Sequence, residues 1–143
     1  MKIIDQIFCD DIRLEQNNKI SLMGLYGDRI LFKISPEKAA EIKWPIPIKL
    51  SLFLRFEREK EEIRPDRFEF NYILNNNSLP IVRGSINIDI NQIVFNFILG
   101  AEGLLLGPGM LGFNLKMYLG NLVIFQEKKE NAIRIECEQQ KSP

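Results

Sequence analysis

Apolar and polar side chains alternate along much of the chain, and the alternation is most regular in the segment 46–56, IPIKLSLFLRF. Every even-numbered position of this segment is apolar, whereas Lys49, Ser51 and Arg55 lie between them. Because a strand turns successive side chains to opposite faces, six apolar groups point to one core. Burying each of them contributes about 1.5–3 kcal/mol, so we predict that this strand is a central one.

Similar alternating segments follow one another, separated by short turns rich in Asn, Gly and Asp. They predict further strands within 3–14, 20–26, 29–34, 68–74, 82–90, 93–99, 113–119, 122–125 and 133–137. Ser35 followed by Pro36 is typical of a helix start, so at most one short helical turn is expected near 36–42. These features predict an all-β fold: a single antiparallel β-sandwich domain, immunoglobulin-like or C2-like, formed by residues 1–143.

Two turns are specific enough to predict how neighbouring strands pair. Asn17 and Asn18 suit a tight loop, and Gly120-Asn121 suits a two-residue hairpin. We require apolar side chains to lie opposite apolar ones. The predicted pairs, from a loop at 17–19 and a turn at 120–121, are Leu14 with Leu22, Ile12 with Gly24, Leu119 with Leu122, and Met117 with Ile124.

Composition and charge exclude several classes of protein. Apolar residues make up 45% of the 143 positions and charged residues 27%, which are values of a globular protein. Nineteen basic and nineteen acidic side chains cancel, so no overall field attracts nucleic acid. No apolar run approaches the ~20 residues of a membrane span, and the opening MKIIDQIFCDD lacks the apolar stretch of a signal peptide. We therefore expect a cytoplasmic protein, with Cys9 and Cys137 reduced and mostly buried.

The chain contains no histidine. Histidine is the commonest general base and metal ligand in proteins. Its absence removes Ser-His and Cys-His nucleophile pairs, and two cysteines are too few for a four-thiolate metal site. We predict no enzyme, no catalytic residue, no metal site and no cofactor.

The run FCDDIRLEQNNKISLMGLYGDRILF, residues 8–32, resembles the N-terminal signature of an uncharacterised family of small bacterial proteins. In that signature a Cys-acidic-acidic opening leads through a hairpin into a Ser-Leu-x-Gly-x-Tyr-Gly strand. Gly107-Pro108-Gly109 and the segment 113–121 are similar to the family's C-terminal half. The resemblance implies a β-sandwich of immunoglobulin-like character in the bacterial cytoplasm. It implies no activity and no functional residues.

The segment 107–112, GPGMLG, matches the G-x-G-x-x-G pattern of dinucleotide-binding loops. That pattern binds a pyrophosphate only where a strand ends in a tight turn and a helix follows. Here the next residues, FNLKMYL, alternate as a strand does. We therefore favour a structural turn over a nucleotide site.

Five carboxylates lie in or near predicted turns: Asp10, Asp11, Asp28, Asp66 and Asp89. If loops at one end of a sandwich bring them together, they offer the oxygen ligands that calcium prefers. A calcium-dependent or lipid-surface-binding C2-like domain is therefore the alternative function. The simpler interpretation is that aspartate satisfies local backbone donors in turns, and we favour it because no D-x-D-x-D spacing is present.

Two other segments have competing interpretations. The charged run 57–67, EREKEEIRPDR, is either a calcium or phosphate site or the solvated end of a hairpin, and we favour the hairpin end. The apolar run 104–106 either inserts into a membrane surface or docks on a protein, or it belongs to a strand whose pattern the neighbouring glycines interrupt. These alternatives stay open at the level of sequence.

Outward strand positions carry Phe53, Ile73, Val94, Ile98 and Tyr118, where polar residues are expected. If they lie on one sheet, they form an apolar face suited to a protein partner or a second copy of the chain. The competing interpretation is that the segment 35–44, which includes Trp44, covers them. We predict a non-catalytic protein-interaction or self-associating module, a homodimer through this candidate interface.

Overall fold

The structure is a computed structural model, and it describes residues 1–139. Its strands are β1 Lys2–Leu14, β2 Ile20–Leu25, β3 Arg29–Ile34, β4 Ile46–Glu57, β5 Arg67–Leu74, β6 Asn77–Ser78, β7 Val82–Ser85, β8 Val94–Leu106, β9 Gly109–Leu119 and β10 Leu122–Gln139. The helical segments are the four-residue α1, Pro36–Ala39, and a 3₁₀ turn at Gln16–Asn18. The all-β prediction is confirmed. No helix among the residues described has the length and apolar character needed to cross a bilayer.

The strands form two sheets. Sheet A has the order β2-β1-β4-β8, and sheet B has the order β3-β10-β9-β5-β6, with β7 also paired to β5. Sheet A is antiparallel throughout, but β3 runs parallel to β10, with Arg29 opposite Arg134. The prediction of a purely antiparallel fold is therefore wrong at this pair. No hairpin joins β3 to β10, so no tight turn imposes an antiparallel direction on them.

The predicted central strand occupies the middle of sheet A, where β4 lies between β1 and β8. Leu50, Leu52, Leu54 and Phe56 are 0% exposed, as the alternation predicts. One cluster of buried side chains combines residues from both sheets. Aromatic rings join the sheets directly: Phe56 meets Phe125 edge-on at 5.5 Å, and Phe68 meets Phe97 at 4.7 Å between ring centroids.

The register of the first hairpin differs from the prediction by two residues. Leu14 pairs with Ile20 and Ile12 pairs with Leu22, so the loop contains five residues and not three. Asn17 and Asn18 both adopt positive φ, and the loop is closed by a hydrogen bond from Glu15 N to Lys19 O of 2.8 Å. A shift of two residues keeps each side chain on its face, which is why the alternation does not reveal it.

The hairpin between β9 and β10 is confirmed at its turn, where Leu119 pairs with Leu122. Met117, however, pairs with Phe125 and not with Ile124, because a bulge interrupts β10 between positions 123 and 125. The extra residue turns Phe125 toward the core, where its ring packs on Phe56. The predicted pairing is therefore wrong beyond the first two rungs.

Two predicted boundaries also change. The strand predicted over 82–90 ends at Ser85, after which Ile88 is buried and Ile90 is exposed. The run 104–106 lies within β8 and pairs with residues 46–48 of β4, so the strand interpretation of this run is confirmed. Gly107 and Pro108 then form the turn that carries the chain from sheet A to sheet B.

Candidate interaction surface

The five residues predicted to form an interface are divided between the sheets. Phe53 lies on β4, and Val94 and Ile98 lie on β8, all in sheet A; Ile73 and Tyr118 lie on β5 and β9 of sheet B. The structure therefore does not place them on one face. Alternation shows on which side of its own strand a residue lies, but it does not show which sheet the strand joins.

Burial separates the same residues into two groups. Phe53, Ile73 and Tyr118 are only 3%, 4% and 9% exposed, whereas Val94 and Ile98 are 45% and 36% exposed. Phe53 lies between Ile7 and Ile98 in neighbouring strands. The exposed apolar surface from the predicted set is therefore confined to β8.

The competing interpretation, that the segment 35–44 covers these residues, is not supported by the contacts of Trp44. Its ring lies 6.2 Å from the ring of Phe32 on β3, and its side chain approaches Gly107. On β4, the guanidinium of Arg55 stands 5.5 Å from the ring centroid of Phe53. Phe53 thus packs against its own strand and the two adjacent ones.

A network of polar side chains surrounds Tyr118 on the outward side of sheet B. The Tyr118 hydroxyl donates to Glu69 at 3.1 Å, and Arg83 donates to the same carboxylate at 3.2 Å. Arg67 stacks on the Tyr118 ring at 3.9 Å. These donors, Arg83 first, lower the pKa of the Glu69 carboxyl. This network satisfies its own charges, and exposed Val123 is the apolar side chain opposite Tyr118.

Among residues 1–139, β8 is the longest strand at the edge of a sheet. Within that range no strand pairs with the side of β8 that faces away from β4. The strand is 13 residues long and carries a single charged side chain, Glu102, and no proline. Its pairing with β4 is regular from Val94 to Ala101 and shifts beyond that, next to Gly103, which has φ +71°. Natural edge strands are usually protected by charge, proline or bulges, and this regular segment has none of them.

Two hollows lie along the same edge, between β8 and the β5–β7 side of sheet B, and the larger one is the apolar cleft. Near the middle of β8 a cavity of about 300 Å³ lies between Ile86, Ile88 and the segment 95–98. Near its end a larger cavity, of about 570 Å³, is lined mainly by Pro45, Leu74, Leu79, Pro80 and residues 103–105. The larger hollow has the size and apolar character that are common at ligand and partner sites.

Arg58 organises the loops at one end of the two sheets. Its side chain is buried, 3% exposed, and its guanidinium donates to six backbone carbonyl oxygens at 2.6–3.2 Å. These acceptors belong to Glu59, Lys60, Glu62, Asp89, Ile90 and Gln92. The interpretation of 57–67 as wholly solvated is therefore wrong at this residue. The sequence did contain a signal for the burial of Arg58, because position 58 continues the even-numbered, core-facing positions of β4.

The turn carboxylates have local partners. Asp11 pairs with Arg13 at 3.3 Å and Lys49 at 3.5 Å, and these contacts, with the Arg13 hydrogen bond largest, lower the pKa of its carboxyl. The other acidic residues have these neighbours: Asp10 accepts from the Tyr26 hydroxyl, Asp66 accepts from Gly120 N at 3.2 Å, Asp89 accepts from Asn91 N at 2.8 Å, and Asp28 lies in a hollow with Arg29 and Arg134. In the described part of the chain, no three His, Cys, Asp or Glu residues are grouped to hold a metal ion.

The two cysteines are free, but they differ in exposure. Cys9 is buried, and its thiol donates to the carbonyl oxygen of Asp11 at 3.5 Å. Burial, and then the charge of Asp10, raises the pKa of this thiol. Cys137 is exposed, so the prediction that both are buried is wrong for it. The pairing of β10 with β9 ends at Ile135, and Cys137 has only the edge strand β3 beside it.

Thiol labelling of the native protein is expected to modify Cys137 rapidly and Cys9 slowly. The Cys9 thiol is shielded from reagent and kept protonated, and thiolate is the reactive form. Mass spectrometry of native and urea-unfolded samples measures both rates. Labelling of native Cys9 at its unfolded rate would contradict a structural role for this thiol.

The glycine-rich segment 107–112 lies in the turn after β8 and at the start of β9. A strand, and not a helix, follows the glycines, as the sequence predicts. The dipole and free N–H groups of a helix N-terminus are therefore not available to bind a phosphate here.

Comparisons with known proteins suggest no function, so the functional proposal rests on the geometry described above. No model of a known protein family matches the chain, and no curated protein matches it. The features with functional potential are the β8 edge, the apolar cleft beside it and the loops that Arg58 holds in place.

Proposed function

We propose that the protein is a non-catalytic interaction module that self-associates by adding β8 of one copy to β8 of another. The observation that carries this proposal is the β8 edge, whose regular part, 94–101, contains no charged side chain and no proline. Strand addition satisfies the unpaired backbone N–H and C=O groups of such an edge. Exposed Val94 and Ile98 supply apolar contact beside the new backbone hydrogen bonds.

A second copy is the occupant that fits the composition of this edge best. Antiparallel pairing of β8 with itself brings no like charges opposite one another across 95–101, because Glu102 lies outside that range. Dimers with two-fold symmetry are the commonest homo-oligomers of soluble proteins. A foreign strand would use the same backbone groups, and it is one outcome of the test below.

The proposal includes the type of fold and the location. Support for a β-sandwich of immunoglobulin-like character comes from the two sheets with one shared core. A cytoplasmic location is consistent with two cysteines that form no disulfide. We retain the resemblance to the small bacterial family as a proposal on the residues 8–32 that motivated it.

Ile98→Lys is expected to weaken the dimer about 100-fold or more, because two lysines would meet near the centre of the paired strands. Sedimentation equilibrium at micromolar concentrations measures the dissociation constant. The matched control is Val82→Lys on β7, an exposed apolar position of the other sheet. That variant is expected to dimerise as the original protein does.

Three results would count against the proposal. A monomer at every concentration would rule out self-association and leave only a foreign partner for the edge. Equal weakening by Ile98→Lys and Val82→Lys would show a general effect of charge and not a role of β8. A lowered melting temperature in Ile98→Lys alone would assign its effect to folding.

A further inference from the structure

Resting on the proposed self-association, we infer the register of the dimer: the two β8 strands pair about a two-fold axis at Ile98, and each Ile93 enters the apolar cleft of the other copy beside Leu104. This assigns the larger cavity between the sheets a role as the receptor for an isoleucine of the second copy. It also assigns the loops held by Arg58 a role in presenting that side chain.

Symmetry restricts the register. A two-fold axis that makes two edge strands antiparallel stands normal to the sheet, so core-facing residues of one copy lie opposite core-facing residues of the other. This condition is met when the axis passes between a residue and its own copy, because odd-numbered positions then lie opposite odd-numbered positions. It is not met when the axis falls between two consecutive residues. Phe97 and Ile98 are the residues nearest the middle of the regular segment 94–101.

Exposure selects Ile98 over Phe97 as the central residue. Ile98 is an exposed large apolar side chain, whereas Phe97 belongs to the buried core. Centring the pair on Ile98 brings the two exposed isoleucines together and sets Asn96 opposite Gly100. Seven residues of each strand, 95–101, then pair without reaching the bulge near Gly103.

Beyond Ala101 the extra residue of the bulge shifts the pairing by one, so Ile93 lies opposite Leu104 of the second copy, which faces the core because it pairs with Ile48. Ile93 is exposed, and its odd number places it on the core-facing side, with Phe95 and Phe97. Leu104 lines the cavity of about 570 Å³ together with Pro45, Leu79, Pro80 and Leu105. An apolar side chain and an apolar receptor therefore coincide at both ends of the dimer.

Arg58 holds Ile93 in position before association. The backbone N–H of Arg58 donates to Ile93 O at 2.9 Å, and its guanidinium donates to Gln92 O at 2.7 Å and Ile90 O at 2.6 Å. A segment fixed in this way loses little conformational entropy on binding. Because Arg58 already fixes the segment that carries Ile93, docking of Ile93 costs less entropy than docking of a side chain on a mobile loop.

Disulfide trapping tests the register. In a Cys137→Ser background, Ile98→Cys is expected to cross-link across the axis, because opposite residues of antiparallel strands have Cα atoms about 4.5–5.5 Å apart. Asn96→Cys is the matched control. In this register the two cysteines at position 96 are four residues apart along the strands, roughly 13 Å, which is too far for a disulfide. The pair Asn96→Cys with Gly100→Cys restores cross-linking and keeps Ile98. A side chain at Gly100 meets only Ser51 Oγ at 3.8 Å, an ordinary contact.

Ile93→Ala tests the cleft. We expect it to raise the dissociation constant about tenfold, because two isoleucine contacts are lost in each dimer. Leu122→Ala, an exposed apolar position on the β9–β10 turn, is expected to change nothing. A dimer that resists trapping at 98 and at 96/100, or that tolerates Ile93→Ala, would overturn this register and leave self-association intact. Absence of any dimer would instead refute the proposed function.

Discussion

Replacing Leu52 with alanine is expected to lower the free energy of unfolding by about 2–5 kcal/mol. Leu52 is fully buried on the central strand of sheet A and belongs to the cluster that joins both sheets. The truncation removes apolar surface from the core and leaves a cavity that the neighbouring strands cannot fully close. Urea denaturation followed by tryptophan fluorescence measures the loss.

Ser51→Ala is the matched control on the opposite side of the same strand. Ser51 is buried as well, but its hydroxyl makes one long hydrogen bond, 3.4 Å to Asp10 O. Removing that bond is expected to cost less than about 1 kcal/mol. Equal losses for the two substitutions would show that the core-facing side of β4 has been assigned incorrectly.

Arg58→Met is expected to destabilise the protein by about 3–5 kcal/mol. Methionine retains an apolar stem of similar length but removes the guanidinium that donates to six carbonyl oxygens in the loops 59–62 and 89–92. Glu59 O and Asp89 O keep their backbone donors, Glu62 N and Gln92 N. Acceptors left without a donor must recruit water, and the loops must separate to admit it. Chemical denaturation measures the stability, and amide exchange measures the loosening of both loops.

Arg64→Met provides the comparison, because Arg64 lies in the same charged run and donates to Ile88 O at 2.9 Å. One hydrogen bond is worth about 1 kcal/mol, so the expected loss is small. If Arg58→Met were no more destabilising than Arg64→Met, the six contacts would be incidental to folding. The dimer of Arg58→Met is also expected to be weaker, since Ile93 is no longer held.

The fold was largely predictable because alternation is a local property. The even positions of β4 identified the core-facing side, and they match the buried side chains of Leu50 to Phe56. Register was less predictable, since a two-residue shift at Leu14 and a bulge before Phe125 leave the pattern of faces unchanged or alter it only locally. The parallel pair of β3 and β10 depends on contacts between distant segments, which short-range patterns do not encode.

The candidate site was only partly predictable. Val94 and Ile98 were identified as outward and apolar, and they are exposed on β8. Phe53, Ile73 and Tyr118 met the same criterion, but neighbouring strands bury them, and periodicity does not contain sheet order. The position of β8 at an edge, and the hydrogen bonds of Arg58 to a loop more than 30 residues away, arise only from the tertiary structure.

Amide hydrogen exchange of β8, followed by NMR as a function of protein concentration, measures whether this edge pairs with a second copy. We predict that alternate amides between 95 and 101, those that point away from β4, exchange quickly in dilute solution. They should become protected as the protein associates, while amides of β7 remain unchanged. Exchange at these β8 positions that stays fast under conditions where the protein is a dimer would place the interface elsewhere and contradict self-association through β8.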